Sequence, residues 1–285
     1  MNQELPQFIN HIVSSLGSIE GITAIALGGS RARGNYTHKS DVDLGIYYNP
    51  ENPPDLIALN RLACELDDQH RENLITAIGE WGKWINGGGW LQVEGVGVDF
   101  LYRDLAKVNR VIDDCHIGRI TIDYQPGHPH GFVSSIYMGE IAICQALYDP
   151  DGVLEALKTK TKPYPVGLKK ATIDTFAWEI SFSLLVAKKA IARNDVVYAA
   201  GCCFRSVACI NQVLFALNED YLLNEKGATA VAGRFAICPQ DYQKRVERAF
   251  ALLTTDAKSI AEAIAMIEAI EDDLSQWYGN RRLAM

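Results

Sequence analysis

The amino terminus, Met-Asn-Gln-Glu-Leu-Pro-Gln, lacks the basic and apolar blocks of a secretory leader, and no uninterrupted apolar run reaches membrane-spanning length. A cytoplasmic location without a membrane partner is therefore expected. Paired Cys-x-x-Cys spacing is missing too. The seven cysteines are odd in number, so they read as reduced thiols, with Cys202, Cys203 and Cys209 in a core or groove. Neither a disulfide framework nor a zinc site is expected. Positive charge is scarce: 27 Lys and Arg stand against 35 Asp and Glu, a net charge of −8. That balance argues against a large nucleic-acid footprint, which needs clustered cations, and so against a polymerase or RNA-tailing role. Internal repeats and low-complexity tracts are absent. What remains is an ordinary globular balance, 48% hydrophobic and 22% charged over 285 residues, enough for two domains with real cores.

The most informative stretch runs from Leu27 to Ile46. Ile22 to Leu27 is a short apolar run suited to a buried strand, and it stops at Gly28-Gly29-Ser30. A short helix capped by Ser30 is expected to follow, its free N–H groups and hydroxyl facing an anion such as a triphosphate. Arg31 and Arg33 can add charge there. Ten residues beyond Ser30 come Asp41 and Asp43, one residue apart in a run that reads as a second strand. Alternate strand side chains share a face, so both carboxylates point together. Two like charges so close call for a cation, and in a phosphate site the natural one is magnesium held by oxygen ligands. A further strand, Glu94 to Arg103, carries Asp99 among Val98, Phe100 and Leu101. An acid so embedded needs a partner, and it would complete a two-metal clamp.

Gly-Ser, ten residues, Asp-x-Asp and a later strand-borne Asp together resemble the polymerase-β-type nucleotidyltransferase superfamily, directly over about the first 105 residues. The resemblance implies that Gly29 and Ser30 bind triphosphate from ATP and that Asp41, Asp43 and Asp99 hold two magnesium ions. In the kanamycin-type antibiotic nucleotidyltransferases an arginine three residues after the serine holds phosphate, an offset that falls on Arg33. A lysine from the second domain contacts triphosphate in relatives, a role that would fall on Lys226, against the plain reading of a solvated loop lysine. Relatives of this layout are often dimers.

The organisation of the chain supports an α/β (α+β) class: a small mixed-sheet nucleotidyltransferase domain, residues 1–157, then an all-α bundle, residues 168–285, with the acceptor pocket in the bundle and the active site between them. Helix is expected from Asp55 to about Trp84, strand from Arg119 to Tyr124, helix from Ile136 to Leu147 and a short helix up to Lys158. Lys158 to Gly167, with Pro163 and Pro165, reads as the linker. Beyond Leu168 apolar residues recur at three and four positions over Leu168–Arg193, Val196–Asn218, Gln240–Leu253 and Thr255–Gln276, as in an antiparallel bundle.

Attack on a phosphate by a hydroxyl needs a general base. Glu179, in the apolar run Phe-Ala-Trp-Glu-Ile-Ser-Phe, is the leading candidate, because desolvation there would raise its pKa. A pairing with a neighbouring lysine or arginine is the plain alternative. Glu140 is the second candidate, and Glu94 is disfavoured because an unbroken strand would set it opposite Asp99, unless a bulge at Gly95 to Gly97 reverses its face. Arg205 reads as either a phosphate contact or a buried ion-pair partner. His128 and His130 flank Pro129, but no third ligand stands near them in sequence, so they read as a structural loop. The expected reaction is transfer of a nucleoside monophosphate to the hydroxyl of a small acceptor, possible acceptors including aminoglycosides. A protein-modifying enzyme of toxin–antitoxin type and a non-catalytic nucleotide sensor are the alternatives.

Overall fold

A computed structural model describes residues 6–34, 36–37 and 40–279. In chain order the elements are α1 (Gln7–Gly17), β1 (Ile22–Leu27), α2 (Gly29–Arg33), β2 (Val42–Tyr48), α3 (Leu56–Leu66), β3 (Gly88–Val93), β4 (Val96–Asp104) and α4 (Leu105–His116). They continue with β5 (Ile122–Asp123), β6 (Phe132–Val133), α5 (Ile136–Ile143), β7 (Gln145–Tyr148), α6 (Val153–Thr159) and α7 (Val166–Ala187). A 3-10 turn (Lys188–Arg193), α8 (Val196–Leu217), α9 (Ala228–Ala232), α10 (Tyr242–Leu252) and α11 (Ala257–Ser275) complete the chain. They form two compact units, residues 1–113 with 137–163, and residues 114–136 with 164–285. Residues 114–136, early in the chain, thus group with the later helices.

The first unit is a five-stranded mixed sheet in the order β3-β4-β2-β1-β7. β2 and β4 are parallel, and every other neighbouring pair is antiparallel. Alternation decides which face is buried. Val42, Leu44 and Ile46 of β2, Val98, Phe100 and Tyr102 of β4, and Leu91 and Val93 of β3 form one core with Ile9, Ile12 and Leu16 of α1 and Leu59 and Ala63 of α3. The intervening residues face the other way, and Asp43, Asp99 and Trp90 are among them. Farther along that opposite face, the Arg103 guanidinium, buried with its residue 4% exposed, meets the Glu140 carboxylate of α5 in a bidentate pair, both contacts 2.7 Å. Burial works against the Arg103 charge, but Glu140 holds its pKa above the ordinary arginine value. Glu140 is thereby a packing counter-ion.

Three expected elements change. α3 ends at Leu66, far short of Trp84, because Asp67 leaves the helical backbone and its buried carboxylate gathers Arg71 and the N–H groups of Gln69, Arg71 and Gln92. Turns and irregular chain then fill residues 68–87 apart from one isolated bridge at Ile75. The helix expected to reach Leu147 stops at Ile143, and Gln145–Tyr148 pairs with β1 as the sheet's edge. The strand from Arg119 shrinks to Ile122–Asp123. Glu94 lies in the turn joining β3 to β4, with φ 52°, so it is not a residue of the β4 face.

The second unit is helical, with a small β5–β6 ribbon. Its core joins Phe176, Ile180 and Leu184 of α7, Cys203, Val207, Ile210 and Leu214 of α8, Val246 of α10, and Ile260, Ile264, Ile267 and Ile270 of α11. Asp195 and Asp256 cap α8 and α11 by accepting from Tyr198 N–H and Ser259 N–H. At 22 residues α8 is long and apolar enough by mean hydropathy to cross a membrane, although Arg205, Asn211 and Gln212 interrupt its apolar run, and 72% of its most apolar stretch is buried inside the structure. That is the position of a core helix. All seven cysteines are free thiols.

Candidate active site

β1 ends at Leu27, paired with Leu44 of β2, and the chain turns at once. Gly28 N–H donates to Asp43 O at 2.8 Å, tying the turn to β2. Gly28, not Ser30, is the N-cap of α2, in extended backbone with no side-chain cap, so Ser30 sits inside the first turn and its hydroxyl does no capping. Gly29 has φ +58°, and a Cβ there would lie 1.8 Å from Asp43 Oδ2. The glycine is required because the carboxylate occupies the space a side chain would take. Gly97 does the same for Asp41: its Cβ would fall 2.4 Å from Asp41 Oδ1.

Register supplies the third acid. Asp43 pairs with Asp99 across the parallel β2–β4 ladder, so both side chains leave the same face of the sheet, and Asp41 lies two residues before Asp43. The expected trio is therefore assembled at one end of two adjacent strands. A donor set of carboxylate oxygens alone, with glycines clearing the space beside two of them, fits a hard divalent cation. Arg31 has a different part from Arg33. Its Nε donates to Asp41 O at 3.0 Å and its Nη2 to Ser40 O at 2.8 Å, bracing the chain as it enters β2. Arg33 is half-buried in the last turn of α2.

The same row contains residues that sequence reading missed. Trp90 is the register partner of Asp99 on the β3 side, and its 60% exposed ring stacks on Trp81, with centroids 4.3 Å apart and planes 17° from parallel. The signal was present as Gly-Gly-Trp-Leu-Gln-Val, whose alternation sets Trp90 on the face away from Leu91 and Val93. Gly97, two residues before Asp99, was equally legible as an open approach. Glu179 and Lys226 belong to the second unit. Glu179 Oε1 accepts from Arg205 Nε, the arginine pairing held open above. Lys226 is exposed, ahead of α9, and its N–H donates to Asn224 Oδ1 at 2.8 Å.

The Gly-Gly-Ser turn and the three aspartates all fall within one segment that a known family matches. Residues 9–107 match the family described as Nucleotidyltransferase domain, and the chain carries such a domain of the polymerase-β-type superfamily. Residues 136–226 match a second family, Domain of unknown function (DUF4037). No curated protein matches the chain. Among solved structures, a nucleotidyltransferase-like protein from Exiguobacterium sibiricum 255-15 aligns over 95% of this chain and 78% of its own, at 9% identity and a TM-score of 0.42. That likeness is too loose to decide any feature of the site.

Proposed function

We propose that the chain transfers AMP from ATP, with magnesium, to a hydroxyl of a small ring-bearing molecule and releases pyrophosphate. The observation that carries this reading is the row of Asp41, Asp43 and Asp99 beside Gly28-Gly29-Ser30. Those three aspartates would hold magnesium, which when bound supplies a Lewis acid at the α-phosphate and a more acidic acceptor hydroxyl. Gly29, Ser30 and Arg33 receive the β- and γ-phosphates. In-line displacement sets the acceptor opposite the leaving pyrophosphate. With pyrophosphate on the β1 side of the sheet, the acceptor approaches over β4 and β3, where Trp90 and Trp81 present a flat apolar surface to a ring. A net charge of −8 suits a cationic acceptor of the aminoglycoside class. The base is not assigned to Glu179 in this reading, because Arg205 engages one of its oxygens and His130 and Cys209 lie beside it.

The test is pyrophosphate release from magnesium-ATP across a panel of hydroxylated antibiotics and metabolites. Turnover with a cyclitol or amino sugar is expected. Radiolabel from the α-phosphate moving to a protein band in lysate would favour protein modification, and ATP binding without pyrophosphate from any acceptor would favour a sensor.

Gly29→Ala is expected to cut turnover by about a hundredfold, since its methyl group must displace the Asp43 carboxylate and a shift of about 1 Å in a reacting group costs that much. The left-handed backbone adds a stability loss of about 1 kcal/mol. Steady-state kinetics beside thermal unfolding separates the two effects.

A further inference from the structure

We propose that His130, Glu179 and Cys209 form a zinc site in the second unit, distinct from the aspartate row. The three residues come from separate places in the chain: the loop between β5 and β6, the middle of α7 and the middle of α8. Their donor atoms nevertheless lie within 4.8 Å of one another. Cys209 is 0% exposed, His130 is 8% exposed and the Glu179 side chain is 12% exposed, so the cluster is enclosed by protein.

The donor chemistry separates this cluster from the aspartates. One imidazole nitrogen, one sulfur and one carboxylate oxygen are a borderline-soft set that suits zinc and does not suit magnesium. Distance agrees as well. Bonds of about 2.3 Å to sulfur and about 2.0–2.1 Å to nitrogen, at a tetrahedral angle, set those two donors about 3.6 Å apart. Cys209 Sγ and His130 Nε2 are 3.6 Å apart. The outer contacts orient the ligands: Arg205 Nε donates to Glu179 Oε1, and the His130 backbone N–H donates to Glu225 Oε1 at 2.8 Å. Three protein donors leave a fourth position for water. On binding, the Cys209 S–H bond breaks, its proton passes to solvent and a Zn–S bond forms, with no change of oxidation state. The ion clamps the Gln125–Gly131 loop to α7 and α8, and Glu179 is a ligand.

The experiment strips the full chain with chelator and titrates it with cobalt(II). One equivalent is expected to give a near-ultraviolet thiolate-to-cobalt charge-transfer band and tetrahedral visible bands, both erased by one equivalent of zinc. Zinc should also raise the thermal midpoint. Cys209→Ser should lose the charge-transfer band, and His130→Ala should weaken cobalt binding by at least about tenfold, the loss that even an outer-contact change produces. Absence of the band at excess cobalt, or its survival in Cys209→Ser, would overturn the site. Where Cys209→Ser fails to fold by near-ultraviolet circular dichroism, Glu179→Gln decides: unchanged cobalt affinity there also refutes the site. The aspartate row holds no sulfur and cannot produce the band, so the result stands apart from the fate of the proposed transferase reaction.

Discussion

Asp43→Asn is expected to lower nucleotidyl transfer by about a thousandfold or more, a loss of about 4 kcal/mol of transition-state stabilisation, in line with the several kcal/mol that a correctly held metal supplies. Asp43 is the centre of the row. It is the register partner of Asp99, it follows Asp41 by two residues, and Gly29 leaves open the space that its carboxylate fills. Asparagine keeps the size of the side chain but removes the charge that a divalent cation needs, so the fold should persist while the chemistry stops. The measurement is pyrophosphate release with the acceptor found in the screen, accompanied by magnesium-dependent ATP binding in a calorimeter. Asp99→Asn should behave alike. A rate within tenfold of the wild type for either variant, with the structure intact, would remove the row from the reaction.

The largest expected stability loss falls elsewhere, at Glu140. Glu140→Gln leaves the Arg103 guanidinium buried without its counter-ion, which costs about 3–5 kcal/mol. For a chain of this length that corresponds to a drop of about 10 °C in the thermal midpoint. The double change Arg103→Met with Glu140→Leu should be milder than either single one, because it removes both charges and keeps apolar volume over Tyr137. Urea unfolding of the three variants checks the order. A double variant less stable than both singles would mean that the pair is worth more than the apolar packing that replaces it. Catalysis by the Glu140→Gln variant below its melting range should be near normal, since its carboxylate is bound to Arg103 farther along β4 than Asp99.

The two parts of the chain were legible to different depths. Helices α7, α10 and α11 follow a periodicity of three and four that their buried residues reproduce, because a bundle core selects residues by the same spacing, whereas α8 is buried on every side from Ser206 to Leu217. Irregular segments were not legible. The stretch after Leu66 contains enough apolar residues to mimic a helix, yet the buried Asp67 carboxylate draws N–H groups from Gln69, Arg71 and Gln92, and one of these is distant in sequence. β7 was hidden for a similar reason: Gln145-Ala-Leu-Tyr is strand only because β1 offers an open edge.

By itself the sequence determined the glycine-serine turn and the two aspartates that follow it. Spacing of two on a strand places Asp41 and Asp43 on one face, and a glycine-serine turn after an apolar strand limits what can sit there; both are local rules of backbone geometry. Only the tertiary structure decided that Asp99 stands beside Asp43, that Gly29 and Gly97 clear the space for carboxylates, and that Trp90 closes the row, because register between strands is set by packing of their far faces. It also decided that His130, read alone as a loop residue without a third ligand, meets Glu179 and Cys209. Side chains drawn from three distant segments converge through the packing of α7 on α8, and no spacing within one segment can announce that.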